Sequence, residues 1–229
     1  IPARHGILGP LIRSIFIPEK DCEWGIFDYS QQEPRLVVHY ANKNGFPGAG
    51  KFLDSYQKDN NTDFHTMVSE IADIPRKQAK TINLGLFYGM GKGKLMSELG
   101  VNIEEATELL QSYHERVPFV KKLTYDTQGI ASKNGFLTTI QGRRCRFDLW
   151  ESELEWGKKA LPEEEAEREY GKKTMKRAWT YKALNKLIQG SAADQIKTAM
   201  VHLHREGYVS HIQVHDELDF SVASDADKA

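Results

Sequence analysis

Cysteine is scarce in this 229-residue chain. Cys22 and Cys145 stand far apart with no partner cluster, which argues against a disulfide framework or a thiolate zinc site and fits reduced thiols inside a cell. No run of about 18 apolar residues is present to span a bilayer, and the first residues lack a signal-peptide pattern, so a soluble chain is expected. An excess of one charge is lacking too. With a net charge of −1, any nucleic-acid surface has to be a local patch, because no global basic surplus exists. Internal repeats are absent. The chain opens Ile1-Pro2-Ala3-Arg4-His5 without an initiator Met and reads as a piece of something longer. Its length suffices to bury ~70% of the unfolded surface, as one large domain or two small ones.

The most informative segment is Arg76-Lys77-Gln78-Ala79-Lys80-Thr81-Ile82-Asn83-Leu84-Gly85-Leu86-Phe87-Tyr88-Gly89. On a helix, Arg76, Lys80, Leu84, Phe87 and Tyr88 fall on one face. That face begins cationic and ends aromatic, the layout that matches a triphosphate attached to a flat base. Gly85 and Gly89 are expected to leave room for close approach to the backbone. Two solvated cations and a core aromatic would give the same pattern without function.

Elsewhere the periodicity outlines an α+β chain. Residues 24–28 read as a short buried strand ending in Asp28. Ser30 and Glu33 have capping-box spacing for a helix carrying Pro34 in its first turn. Helical periods cover 64–71, 76–88, 103–117 and 118–132, and a further stretch covers 179–204 with an expected interruption at Gly190. Gly142-Arg143-Arg144-Cys145-Arg146 marks a turn or hairpin, and residues 151–169 form an acidic, solvated run. Residues 208–214 and 218–222 alternate as two strands around a His215-Asp216-Glu217 turn.

Asp28 and Asp216 are the carboxylates best placed for chemistry. Each alone reads equally as a turn or strand-end aspartate, but a carboxylate set between Phe27 and Tyr29 is costly unless it has a partner. Two that converge would suit hard divalent ions such as Mg²⁺ and, through them, in-line phosphoryl transfer.

Five segments in order carry a family resemblance: Asp28-Tyr29-Ser30-Gln31-Gln32-Glu33-Pro34-Arg35; Arg76-x-x-x-Lys80 with Tyr88-Gly89; Gly142-Arg143-Arg144; Gln189-Gly190-Ser191-Ala192-Ala193-Asp194; and His215-Asp216-Glu217. Together they resemble family A DNA polymerases, of a bacteriophage type. The resemblance implies template-directed DNA synthesis, adding dNTPs to a primer 3′-OH with pyrophosphate release. It also implies an antiparallel palm sheet bearing the active site and a mostly helical fingers insertion. The expected division is palm at 1–49, fingers with hairpin and acidic segment at 50–178, and palm again at 179–229.

By the same resemblance, Asp28, Asp216 and the backbone carbonyl of Tyr29 hold two Mg²⁺ ions, with Glu217 nearby and second in rank. Arg76 and Lys80 grip the triphosphate, and Lys80 can protonate departing pyrophosphate. Tyr88 packs where templating base and nucleotide meet. Glu33 is a steric gate against a ribose 2′-OH, a role that competes with the capping box. His215, Asn185 and Gln189 line the primer terminus and the minor groove of the nascent pair. Arg143, Arg144 and Arg146 contact DNA phosphates or are simply exposed. Primer–template DNA and dNTPs are the implied partners, and the implied setting is the cytoplasm of a bacterial or phage-infected cell.

Two positions depart from the family pattern. Leu84 stands where Phe or Tyr is usual, which implies discrimination against dideoxynucleotides and slower extension. Tyr181 replaces a basic residue, although Lys182 adjoins it. A single-subunit RNA polymerase shares the Lys-to-Tyr-Gly helix; Glu33 and Glu217 argue for DNA synthesis instead. A non-catalytic DNA-binding fragment would have no need of Asp28, Lys80 and Asp216 together.

Overall fold

The computed structural model describes residues 6–155 and 157–223. In chain order the elements are α1 (Leu8–Arg13), β1 (Cys22–Asp28), α2 (Gln32–Lys43), α3 (Ala49–Lys58), α4 (Phe64–Ala72), α5 (Arg76–Phe87), α6 (Lys92–Leu99), α7 (Ile103–Arg116) and α8 (Pro118–Asn134). There follow β2 (Phe136–Thr138), β3 (Arg144–Arg146), β4 (Leu149–Ser152), β5 (Leu161–Pro162), α9 (Glu163–Tyr170), β6 (Met175–Arg177), a 3₁₀ turn at Thr180–Lys182, α10 (Ala183–Arg205), β7 (Ile212–Val214) and β8 (Glu217–Ala223). The fold is thus α+β, with antiparallel sheets throughout. Contacts divide the chain into two compact units, Ile1–Ser30 with Gln195–Ala229, and Gln31–Asp194.

The first unit is built on a three-stranded sheet in the order β1-β8-β7. β1 runs antiparallel to β8 from Cys22↔Ala223 to Asp28↔Glu217, and β7 flanks β8 with Val214↔Glu217. Alternation along β8 sorts its side chains by face. Leu218 and Phe220 are buried with Ile196, and Ala199, Met200, Leu203 and Val222 pack against them. Glu217 and Asp219 therefore share the opposite face with their cross-strand partners Asp28 and Ile26. A one-residue slip would drive both carboxylates into the apolar face, so burial pins the register.

The second unit is helical and holds the larger core. Phe52 stacks against Phe64 and Phe119 with ring centroids 5.1 Å apart in each case, and Phe87 joins Phe64 at 5.9 Å. Ile82 and Phe87 of α5 are buried in this cluster. Phe87 therefore belongs to the core and not to the exposed cation-to-aromatic face, which ends at Tyr88.

Several local expectations change. α2 begins at Gln32 with Gln31 as its left-handed N-cap (φ 53°) and no side-chain cap. The N-cap position thus falls on Gln31 and not on Ser30, and the Glu33 carboxylate is engaged by Tyr88 and Gln189. Glu217 lies on β8, and the hairpin turn is the pair His215-Asp216 alone. The acidic run overlaps β4 and α9 and contains β5, and α9 carries Glu163, Glu164 and Glu165 in its first turn, where they complement the helix dipole. α3 and α6 were not anticipated, although α3 has one clear apolar face that buries Ala49, Phe52 and Tyr56.

α10 runs unbroken through Gly190. Its glycine has a packing cause: a Cβ there would lie 2.8 Å from Thr139 Cγ2 and 3.0 Å from Cys145 Sγ. The β2–β3 hairpin thus seats directly on the helix backbone. The same hairpin is latched by Arg143, whose guanidinium donates to Asp194 at 2.9 Å and to the Gly190 carbonyl at 2.8 Å. Gly190→Ala removes a helix-propensity penalty of ~1 kcal/mol, yet overpacking costs ~1–3 kcal/mol. The expected net result is destabilisation by about 1 kcal/mol in urea unfolding, opposite in sign to the same change at an exposed helical glycine.

Candidate functional site

In the sheet unit, the Asp28↔Glu217 register brings the two ends of the sequence together. The Tyr29 N–H donates to the Asp216 carbonyl at 3.2 Å, extending the pairing past the strand end. His215, first residue of the two-residue turn, has φ 58°, a left-handed conformation unusual for a side chain larger than glycine. It is held there with its Nδ1 2.9 Å from Asp216 Oδ1. Strain of this kind concentrates where the backbone must aim a functional group.

Negative charge accumulates at this end of the sheet. The Asp28 carboxyl is raised above its ordinary range, first by partial loss of hydration and then by the Asp216 charge, with His215 opposing. Burial likewise raises Glu217, followed by Asp219, with Asp28 and Asp216 adding to it and Arg13 opposing. Asp219 was not anticipated. It is buried and raised by that burial, with only Arg13 opposing, and its Oδ1 has no hydrogen-bond partner among the described residues. Its spacing of two from Glu217 on an alternating strand was the available signal. These all-oxygen donors with surplus negative charge fit a hard divalent cation in kind. Among the described residues, no three His, Cys, Asp or Glu side chains are already gathered round one point for an ion.

In the helical unit, three predicted residues meet. The Tyr88 hydroxyl lies 2.7 and 2.9 Å from the two Glu33 carboxylate oxygens, and Gln189 Nε2 donates to Glu33 Oε1 and, at 3.2 Å, to the Tyr88 oxygen. Glu33 is buried while Tyr88 is nearly half exposed. Two neutral donors from α5 and α10 thereby fix a carboxylate on α2. Asn185 lies four residues before Gln189 on α10, partly exposed.

Arg76 and Lys80 are exposed on the first turns of α5 and Leu84 is half-buried below them. Arg76 is already engaged: it donates to Asp63 Oδ2 at 2.7 Å and to Thr66 Oγ1 at 3.1 Å. Asp63 is also the N-cap of α4, accepting from Thr66 N at 2.7 Å. Gly85 and Gly89 do leave space, but the protein fills it. Met90 Sδ would sit 3.2 Å from a Cβ at Gly85, and the Tyr181 carbonyl 2.9 Å from one at Gly89, where φ is 68°. Arg144 stacks over Phe136 at 4.5 Å, and Arg146 is exposed. Both cysteines are free thiols, and no helix among the described residues is long and apolar enough to cross a membrane.

Comparison with known proteins gives a consistent result. The family model described as DNA polymerase family A matches residues 1–229. A DNA-directed DNA polymerase of Pseudomonas phage M6 is 37% identical over 92% of this chain and 34% of its own length. DNA polymerase I of Bacillus subtilis (strain 168) is 32% identical over 93% of this chain and 23% of its own length. The chain therefore spans about a third or less of these curated relatives. Among solved structures, the POL domain of Pol1 from M. smegmatis, in complex with DNA primer-template and dNTP, superposes with a TM-score of 0.72 at 29% identity. That match covers 98% of this chain and 38% of that one.

The Arg76–Asp63 pair leaves a pH signature. Partial burial would raise Asp63, but hydrogen bonds from Arg76 and from the Thr66 N–H and hydroxyl, with the Arg76 charge, outweigh it and hold the carboxyl at about 2. A carboxylate depressed in the folded state stabilises it above its unfolded pKa and loses that contribution as pH falls through the folded value. Asp63→Asn keeps an N-cap acceptor and removes the charge. Wild type is expected to be more stable than Asp63→Asn above about pH 4, with the gap closing by about pH 2 in chemical unfolding followed across that range.

Proposed function

This chain belongs to DNA polymerase family A, and from that premise we propose that the protein containing it extends a DNA primer along a template. The primer 3′ oxygen forms the new bond to the α-phosphorus of a dNTP, and the bond to the pyrophosphate oxygen breaks. The sheet unit, with residues up to 49 and from 179, is read as palm, and 50–178 as fingers. The observation that carries the reading is the Asp28↔Glu217 register with Asp216 beside it, because it unites the first and last of the five motifs at one carboxylate-rich sheet end.

In this reading Asp28, Asp216 and the Tyr29 carbonyl are the groups that would hold Mg²⁺. When bound, such ions make the primer hydroxyl more acidic and offset charge on the phosphoryl oxygens. Glu217 adds to the negative field from β8. Lys80 is the residue that would supply a proton to departing pyrophosphate. Arg76 exchanges Asp63 for the triphosphate, a swap of one charge-assisted hydrogen bond for another. Tyr88 offers its exposed ring to the nascent base pair, and His215, Asn185 and Gln189 line the primer terminus and minor groove. Leu84 gives the sugar an apolar contact with no hydrogen bond. Arg143 spends its guanidinium on Asp194 and Gly190, so Arg144 and Arg146 are the better candidates for phosphate contact.

Glu33 would exclude a 2′-OH. Its carboxylate is immobilised by Tyr88 and Gln189, which supports a steric role, since a gate works only if it cannot swing aside.

Magnesium-dependent primer extension by the complete enzyme tests the reaction. Asp28→Ala and Asp216→Ala are each expected to lower kcat by at least ~10³-fold; extension at wild-type rate would remove the metal assignment. Glu33→Ala is expected to raise ribonucleotide incorporation relative to dNTPs by ~10²-fold or more, and unchanged selectivity would remove the gate.

A further inference from the structure

Beneath the exposed face of α5 lies a buried polar relay that none of the proposed catalytic roles uses. Asn83 on α5 is wholly buried, as is Tyr113 on α7, and His65 on α4 is nearly so. The Tyr113 hydroxyl donates to Asn83 Oδ1 at 2.5 Å, and Asn83 Nδ2 lies 2.9 Å from His65 Nδ1. Three helices of one unit thus meet through two hydrogen bonds inside an otherwise apolar core.

The chemistry of the chain of donors fixes its direction. The Tyr113 hydroxyl has a single hydrogen-bond partner among the described residues, and a buried hydroxyl proton without an acceptor costs ~1–3 kcal/mol. Its proton therefore goes to the amide oxygen, which turns the amide nitrogen toward His65. An amide NH₂ can only donate. His65 Nδ1 must accept, so the ring proton sits on Nε2. Burial lowers the His65 pKa, opposed by Asp63 and reinforced by Lys80 and Arg76. A neutral ring is the form the relay requires, because a proton on Nδ1 would face the amide NH₂.

We propose that Tyr113 is a positioning residue for nucleotide binding: acting through Asn83, it sets the His65 tautomer and clamps α4 to α5, so that the Arg76–Lys80 face is ordered before a nucleotide arrives. This inference rests on the polymerase reading for the identity of the ligand, but the tautomer stands independently of it. The clamp joins the helix that carries Arg76 and Lys80 to the helix whose N-cap, Asp63, holds Arg76. A loosened relay would therefore misplace both partners of that exchange.

The test is Tyr113→Phe in the complete enzyme, which removes one oxygen and keeps the ring packed. The KM for dNTP is expected to rise about five-fold with kcat within about two-fold, the equivalent of one hydrogen bond. In ¹⁵N-histidine-labelled enzyme, with His65→Gln identifying the signal, wild-type His65 is expected to show protonated Nε2 and unprotonated Nδ1. In Tyr113→Phe the two nitrogens move toward a mixture. A purely structural tyrosine would change thermal stability while leaving KM and the imidazole signals alone, and that result would overturn the proposal. Should Tyr113→Phe fail to fold, the wild-type spectrum decides, since a proton on Nδ1 is incompatible with the relay. Absence of any primer extension by wild type would sink the polymerase reading while leaving the imidazole result to stand.

Discussion

The antiparallel pairing of β1 with β8 is the constraint on which the sheet unit's chemistry depends. It joins segments near opposite ends of the sequence and places Asp28 across from Glu217. Leu218, Phe220 and Val222 hold the register by burying the other face, so the apolar side of β8 decides where its carboxylates go. The left-handed turn at His215 then lifts Asp216 off the strand. An adjacent pair of acids on a regular strand would point to opposite faces. Here one acid belongs to the turn and the other to the strand, and the turn acid, Asp216, raises both Asp28 and Glu217.

In the helical unit, α5 performs the corresponding task by separating its faces. Ile82, Asn83 and Phe87 are sunk in the core, while Arg76, Lys80 and Tyr88 remain accessible. The core side is unusually specific for a helix of this size. Phe87 provides area, which is non-directional; the Tyr113–Asn83–His65 relay provides direction, because each hydrogen bond admits one orientation. Apolar packing alone would allow α5 to rotate slightly with little penalty, and the exposed cations would rotate with it.

Much of this was legible in the sequence because it follows from period and turn chemistry. The strand ending at Asp28, the helices at Phe64–Ala72, Arg76–Phe87, Ile103–Arg116 and Pro118–Asn134 and the terminal hairpin all carry strong local signals, although the strand was expected to be buried and its Ile26, Phe27 and Asp28 are exposed. What was illegible depended on partners remote along the chain. Glu33 satisfied the capping-box spacing with Ser30, yet its carboxylate turns to Tyr88 and Gln189, whose proximity no local pattern encodes. Gly190 looked like a helix breaker because glycine usually is one; a hairpin from another part of the chain gives it a different purpose. Phe87 and Tyr88 are adjacent aromatics with opposite fates, and only the cluster around Phe64 separates them. Asp63 was missed although Asp before an apolar helical run is a recognisable N-cap.

The carboxylates of the two units differ in a way that bears on what they can do. Glu33 accepts hydrogen bonds from two neutral donors, so its negative charge is solvated by the protein and its position is fixed. Such a group is suited to exclude, since moving it means breaking bonds. Asp28, Glu217 and Asp219 are instead raised by lost hydration, Asp28 further by Asp216 and Glu217 further by Asp219, Asp28 and Asp216, and Asp219 leaves an oxygen unmatched among the described residues. A cluster of that kind is held together against its own repulsion by the strand register, and repulsion of this type is relieved by a cation. Satisfied carboxylates shape a site, whereas unsatisfied ones leave it able to bind.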